Sequence, residues 1–210
     1  MSPSLTLQSL PLFPLGTVLF PGGVLPLRVF EVRYLDMVNR CHKAGAPFGV
    51  VSLTHGHEVR QPGAEQEGFA PVGTLATIES LATPQPGLMM IRALGGQRFR
   101  ISASQRLKHG LWIADVDCLP DDVPVPVPPD LEDAARALRK VLQSLPAKLP
   151  AGEEPPVRAP WHLDDAGWVA NRWCELLPLP LQLKHRLMDL DNPLVRLELV
   201  GDLLTKMRIA

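Results

Sequence analysis

The sequence predicts an α+β fold in which a β pseudo-barrel with one helix is followed by a four-helix bundle-like subdomain. Residues 1–119 are dominated by short apolar runs between Pro and Gly, a pattern typical of strands joined by tight turns. Residues 120–129 read PDDVPVPVPP, and from residue 130 apolar residues recur at helical spacing. We therefore predict a β-rich domain over 1–119, a Pro-rich linker over 120–129 and a helical subdomain over 130–210.

The first two strands are predicted at residues 7–13 and 24–30. Both contain proline, which cannot donate a ladder hydrogen bond, so each is expected at a sheet edge or strand end. A helix is predicted over residues 31–44, because Gly45 and Pro47 follow it as stop signals. Its apolar residues recur at helical spacing: Val32, Leu35, Val38 and Cys41.

Further strands are predicted at 48–54, 72–81, 88–94, 98–104 and 112–119, with a mobile surface loop over residues 55–68. Gly95-Gly96 separates two of these strand patterns. Two-residue hairpin turns need positive φ, which glycine adopts without strain, so this pair predicts a hairpin. The order of elements predicts a pseudo-barrel of about six strands.

The helical half is expected to contain four helices. Asp130 and Asp164 are predicted as N-caps of the first two, because a short side-chain oxygen can accept from free amides at a helix start. A short third helix is predicted over 181–190. Asn192 followed by Pro193 predicts the start of the last.

Composition excludes several classes of protein. The chain has 21 basic and 22 acidic residues and a formal charge of -1, which disfavours a general nucleic-acid binder. The three cysteines are far apart, as expected of buried, reduced thiols in a cytoplasmic protein. Prolines interrupt the uncharged first 27 residues, which argues against a signal peptide, and no apolar run is long enough to span a membrane.

The segment LPLFPLGTVLFPGGVLPLRVFEVRY at residues 10–34 resembles the opening of the N-terminal substrate-binding domain of Lon proteases. Four further segments resemble the same family: FGVV at 48–51, VGTLATI at 72–78, GGQRFRI at 95–101 and LPLPLQLKHRLMDLDNPLVRLELVGDLL at 177–204. The resemblance implies a PUA-like β domain followed by helices. Val32 departs from the pattern, because the family commonly has FEPRY there, so the helix start is expected to be less rigid.

The chemistry of a Lon protease is not expected in this chain. No G-x-x-x-x-G-K-[ST] motif is present to bind ATP, and 210 residues leave no room for a Ser/Lys peptidase domain as well. We therefore expect a non-enzymatic binding module without cofactors. By resemblance, its partners would be unfolded or degron-bearing polypeptides and a separate ATP-dependent protease that it serves as an adaptor.

Six residues are candidates for peptide binding. One group is expected in an exposed apolar patch together with Leu88, since methionine adapts to varied partners: Phe20, Met89 and Met90. Because neighbouring strand residues point to opposite faces, one of the two methionines is expected to face away from the other. The other is expected where the second strand enters the helix, lining a groove between helix and barrel: Phe30, Arg33 and Tyr34.

Two other functions stay open. An RNA-binding PUA-like module would use Arg92, Arg98 and Arg100. Strand alternation, however, directs Phe99 to the core and leaves Arg98 and Arg100 solvated, with no aromatic beside them. An enzyme with a cryptic hydrolytic site is the third hypothesis. His55, His57 and Glu58 carry possible metal ligands, but a flexible polar loop is a poor template, and no metal site is expected.

Overall fold

The computed structural model of the chain describes residues 5–58, 67–150 and 154–209. The chain divides into two compact units, Met1–Asp121 and Asp122–Ala210. The first contains the strands and one helix, and the second contains four α-helices, so the α+β class is confirmed. The division falls within the proline-rich segment 120–129.

The first unit is a six-stranded sheet with one α-helix. Its elements are β1 (Thr6–Leu15), β2 (Val24–Val29), α1 (Val32–Ala44), β3 (Phe48–His55), β4 (Gly68–Gln85), β5 (Leu88–Arg106) and β6 (Trp112–Cys118). The strand order is β2-β5-β4-β3-β1-β6, and a further β5–β6 pairing closes part of the sheet into a partial ring. Only β1 and β3 run parallel among the described pairs. The end strand β2 pairs with β5 alone among the residues that the structure describes.

The hairpin predicted at Gly95-Gly96 is wrong, because both glycines lie inside β5. The turn between β4 and β5 lies instead at Pro86-Gly87, where Gly87 has φ 78°. A Cβ built on Gly95 would lie 2.3 Å from the carbonyl oxygen of Phe20. Glycine is therefore needed at residue 95 for close backbone approach and not for a turn.

The expectation that each proline lies in an edge strand or at a strand end is correct for Pro26 in β2 and for Pro14, the penultimate residue of β1. It is wrong for Pro11, because β1 lies between β3 and β6. The pairing of β1 with β6 ends at Leu12, and its pairing with β3 begins there. Pro11 thus lies where β1 pairs with β6, and Pro14 where it pairs with β3. Each proline has a strand on one side only, which explains why an interior strand tolerates both.

The buried face of α1 differs from the predicted stripe, since Val32 is 73% exposed. The buried residues of α1 are Arg33, Tyr34, Met37, Val38 and Cys41. The apolar spacing was a correct sign of a helix, but its first residue lies outside the core. Of the predicted loop 55–68, residues 59–66 lie outside the described part of the chain.

The second unit contains α2 (Glu132–Ser144), α3 (Ala166–Leu176), α4 (Leu181–Asp189) and α5 (Pro193–Lys206). The Asn192 cap is confirmed, because its side chain accepts from the amides of Leu194 and Val195. The two other predicted caps are wrong. Asp130 lies in a 3-10 turn before α2, and the cap of α3 is Asp165, which accepts from Gly167 and Trp168.

Part of the proline-rich segment is paired within the second unit. The Ala166 amide donates to the Val125 carbonyl at 2.8 Å, and the Val127 amide donates to the Asp164 carbonyl at 3.0 Å. These residues therefore do not form a free linker. None of the described helices has the length and apolar character needed to cross a bilayer.

Candidate functional site

The six residues predicted to bind peptides do not share one surface. Phe30 and Met90 are 53% and 39% exposed. The other four are buried: Phe20, Arg33, Tyr34 and Met89. The predicted exposed patch is therefore wrong for Phe20 and Met89, because their side chains are buried in the core and cannot contact a partner.

Strand register explains why the two methionines differ. Met89 lies opposite Val29, which is buried, whereas Met90 lies opposite the exposed Arg28. Neighbouring residues of a strand point to opposite faces. Met90 therefore lies on the outer face of the sheet, the same face as Arg28.

A groove of about 370 Å³ lies beside β2. We call it the β2 groove and define it by the residues that line it: Phe13, Leu15, Pro26–Val29, Phe30, Glu31, Tyr34 and Glu58. Phe13 and Tyr34 form part of its lining and stack with ring centroids 4.1 Å apart. The groove thus joins the exposed Phe30 to a packed aromatic pair, and brings together two of the six predicted residues.

The buried Arg33 holds the start of α1 in place. Its Nη1 donates to Glu67 Oε1 at 3.1 Å and to the Gly110 carbonyl at 2.8 Å, and its Nη2 lies 3.1 Å from Glu31 Oε2. Arg33 therefore connects the helix start to the beginning of β4 and to the turn before β6. This arrangement positions the neighbouring Tyr34 in the β2 groove, so we assign Arg33 a positioning role.

Glu67 is the main acidic partner in this cluster. Burial alone would raise the pKa of its carboxyl, but a backbone hydrogen bond, Arg33 and Arg106 outweigh burial and lower the pKa below its ordinary value. Arg106 Nη1 lies 3.8 Å from Glu67 Oε2. Glu67 is therefore ionised at neutral pH and compensates the buried charge of Arg33.

A second groove of about 370 Å³ lies between α1 and the strands β1 and β6. Its apolar lining includes Met37, Leu111 and Ile113, with Asp36 and Arg40 also present. The sequence predicted a groove between helix and barrel lined by Phe30, Arg33 and Tyr34. Only Arg33 of these lines the second groove, whereas Phe30 and Tyr34 line the β2 groove.

The three arginines of the RNA hypothesis have different environments. Arg98 is 3% exposed, so the expectation that it is solvated is wrong, while Phe99 is fully buried as predicted. The Arg98 carbonyl accepts from the Leu119 amide at 2.8 Å, so the pairing with β5 continues one residue beyond β6. Arg92 Nε lies 3.9 Å from Glu79 Oε2, and of the three arginines only Arg100 is exposed.

The possible metal ligands near His55 and the three cysteines do not form a reactive or metal-binding cluster in the described residues. In the described residues no three His, Cys, Asp or Glu side chains are grouped to hold a metal ion. Glu58 accepts a hydrogen bond from the Gly16 amide, and His55 lies at the end of β3 beside Thr54. All three cysteines are buried free thiols, and burial raises the pKa of each.

Comparisons with known proteins show that the chain is similar to Lon proteases. Residues 9–206 match the model of the ATP-dependent protease La (LON) substrate-binding domain. The chain is 28% identical over 205 residues to a Lon protease of Anaeromyxobacter dehalogenans, covering 95% of this chain and 23% of that protein. It is 30% identical over 122 residues to the protein cereblon of Danio rerio, covering 56% of this chain and 27% of that protein. The chain spans about a quarter of these relatives.

Two solved structures are similar over almost their full length. A Lon N-terminal domain protein from Xanthomonas campestris has a TM-score of 0.69 and 33% identity, with 92% of this chain and 97% of that chain covered. The N-terminal domain of a Mycobacterium avium complex Lon protease has a TM-score of 0.59 and 16% identity, with 93% and 97% covered. The second likeness concerns the fold alone. No ATPase or peptidase domain is detected within this chain.

Proposed function

The chain belongs to the family of ATP-dependent protease La (LON) substrate-binding domains, and from this membership we propose that it binds polypeptide segments reversibly, without catalysing their cleavage. Family membership supports a substrate-binding role. The bound segments would be unfolded or carry degrons. In this proposal the chain acts in the cytoplasm as an adaptor for a separate ATP-dependent protease.

The observation that carries the proposal is the exposed Phe30 on the lining of the β2 groove. A phenyl ring 53% exposed to water gains free energy when an apolar side chain of a client covers it. Burying the exposed half is worth roughly 1 kcal/mol at the usual coefficient for apolar area. Such a contact is weak by itself, so binding would be reversible and tolerant of client sequence.

The test compares two exposed apolar residues close in sequence. Phe30→Ser removes the ring beside the groove, whereas Val32→Ser changes a residue that is 73% exposed and does not line that groove. We expect the wild-type chain to slow aggregation of a chemically denatured model protein without ATP, measured by light scattering. Phe30→Ser should lose most of this effect, and Val32→Ser should keep it.

Both variants should retain the wild-type midpoint of urea unfolding, because neither side chain is buried. Equal activity of Phe30→Ser and the wild type would contradict the assignment of the β2 groove. No slowing by the wild-type chain at several-fold molar excess would contradict the function itself.

No observation favours the RNA-binding alternative over polypeptide binding, since the buried Arg98 offers no side chain to a phosphate. It is tested separately by retention of RNA at low salt. Retention that falls steeply with added salt and with Arg100→Ala would support RNA binding.

A further inference from the structure

The edge of β2 that no described strand pairs with offers backbone groups to an extended partner. We propose that the chain binds its client segment by strand addition, with an uncharged, extended peptide pairing along β2 and placing apolar side chains in the β2 groove. The inference rests on the proposed function and specifies its mode of binding.

The direction of each β2 backbone group follows from the pairing with β5. The Gly95 amide donates to the Gly23 carbonyl at 2.8 Å, so residue 23 directs its carbonyl to β5. The register then continues from Val24 opposite Leu94 to Val29 opposite Met89 without a shift. In an antiparallel pair alternate residues direct both backbone groups to the partner. Residues 25, 27 and 29 therefore face β5, and residues 24, 26 and 28 face away from it.

Residues 24, 26 and 28, which face away from β5, offer three carbonyl acceptors. They offer only two amide donors, on Val24 and Arg28, because Pro26 has no N–H. Among the described residues β2 is the end strand of the sheet and pairs only with β5, so no described strand bonds to these outward groups. Unpaired amides and carbonyls at the spacing of a strand are complementary to another extended backbone. A helix does not present its backbone groups in that pattern, because they bond within the helix.

Pro26 determines what kind of strand fits. Proline at an edge removes one ladder bond and hinders pairing with a second long strand, which protects proteins against aggregation. A short segment can still bond on either side of it, at Val24 and Arg28. Pro26 therefore favours a short, exchangeable ligand over permanent sheet extension.

The charges along the groove favour an uncharged ligand. Arg28 contributes a cation, and Glu31 and Glu58 contribute carboxylates, so a strongly acidic or basic segment would meet like charge on one side. The remaining lining includes aromatic and aliphatic side chains: Phe13, Leu15, Leu27, Phe30 and Tyr34. Alternating apolar and small polar residues would fit both the groove and the strand edge.

Amide hydrogen exchange of the full chain, followed residue by residue by NMR, tests the mode directly. The probe is a short capped peptide of alternating valine and threonine residues, and its binding is followed separately by fluorescence anisotropy. We expect the peptide to slow exchange at the Val24 and Arg28 amides by about ten-fold or more. The amides of residues 25, 27 and 29 already bond to β5 and should change little.

A backbone variant and its control separate hydrogen bonding from side-chain effects. Arg28→Pro removes an outward donor that β5 does not use, whereas Arg28→Ala removes the charge and keeps the donor. Arg28→Pro should weaken peptide binding about five-fold, the value of one net hydrogen bond, relative to Arg28→Ala. If Arg28→Pro fails to fold, N-methylation of successive peptide amides gives the same information, because only alternate positions should weaken binding.

The outcomes distinguish the mode from the function. Peptide binding without protection of Val24 and Arg28, or with equal sensitivity to methylation at every position, would overturn strand addition. Failure to bind the peptide by a chain that still slows aggregation would also overturn it. Protection of these amides that rises with protein concentration in the absence of peptide would show that a second copy occupies the edge. Failure in both the peptide and the aggregation assay would overturn the proposed function.

Discussion

At the scale of single residues, Arg33 combines a charged side chain with a buried position. The side chain is 5% exposed and is compensated by Glu31, Glu67 and the Gly110 carbonyl. A buried charge without such partners would cost several kcal/mol. The sequence marked Arg33 as noteworthy through its position in the motif FEVRY, but the partners come from residues 31, 67 and 110 and are not visible locally. Its assignment to a peptide-binding surface therefore stays a prediction that its burial does not favour.

Glu67→Gln should lower the free energy of unfolding by about 1 to 2 kcal/mol at pH 7, because a charge-assisted hydrogen bond to a buried arginine is lost. The folded-state pKa of Glu67 lies below its ordinary value of 4.5. Its stabilising contribution is therefore present above about pH 4.5 and is lost as pH falls through the lowered folded-state pKa. The difference between variant and wild type should close at acidic pH.

Urea unfolding across the pH range measures this effect. Asp133→Asn is the matched control, because Asp133 also pairs with an arginine but its side chain is 77% exposed. That change should cost less than about 0.5 kcal/mol at any pH. A difference between Glu67→Gln and wild type that persists undiminished at acidic pH would contradict the role given to the carboxylate.

At the scale of elements, β5 gives the clearest contrast between local pattern and tertiary context. Gly95-Gly96 has the composition of a hairpin turn, yet both residues lie in one strand. This strand pairs with β4 over residues 88–100, with β2 over residues 89–94 and with β6 over residues 99–106. The close approach of the Phe20 carbonyl requires a glycine at residue 95. The glycine pair indicated a backbone position that excludes a side chain. Only the nearby Phe20 carbonyl shows that the reason is close approach and not a turn.

Gly95→Ala should destabilise the fold by at least about 2 kcal/mol, because the added methyl would meet the Phe20 carbonyl oxygen at 2.3 Å. Gly96→Ala is the matched control, since the nearest atom to its Cβ is the Leu75 carbonyl oxygen at 3.5 Å. Its effect should remain within about 0.5 kcal/mol. The midpoint of urea unfolding of each variant measures these effects. Equal midpoints would contradict the close approach of the Phe20 carbonyl to Gly95.

At the scale of the whole molecule, each unit has its own buried core, and among the described residues each buries two arginines: Arg33 and Arg98 in the first, Arg172 and Arg196 in the second. In the second unit Arg196 is 1% exposed. It donates hydrogen bonds to four partners: the Leu187 carbonyl, the Leu190 carbonyl, Asn171 and Asp122. Asp122 is the first residue of this unit. Arg196 thus joins the start of the unit to α3, the end of α4 and α5.

Arg196→Met should cost about 3 kcal/mol, because it removes the buried charge-assisted hydrogen bonds that Arg196 donates to Asp122, to Asn171 and to two carbonyls. We expect faster amide hydrogen exchange in α3, α4 and α5, and unchanged exchange in β4 and β5. Arg136→Met is the control, since the Arg136 side chain is 66% exposed and should contribute little. Equal loss of protection in both units would contradict this localised effect.

The sequence by itself determined the family, the α+β class, the approximate bounds of most strands and helices, and the Asn192 cap. These features depend on local periodicity, on turn and capping chemistry and on a motif order that is read directly along the chain. Only the tertiary structure decided that Phe20, Met89 and Arg98 are buried, that Gly95 serves close approach, and that Phe30 lies beside a groove along the end strand β2. Burial and edge exposure depend on which distant segment covers a residue, and neighbours in sequence do not specify that segment.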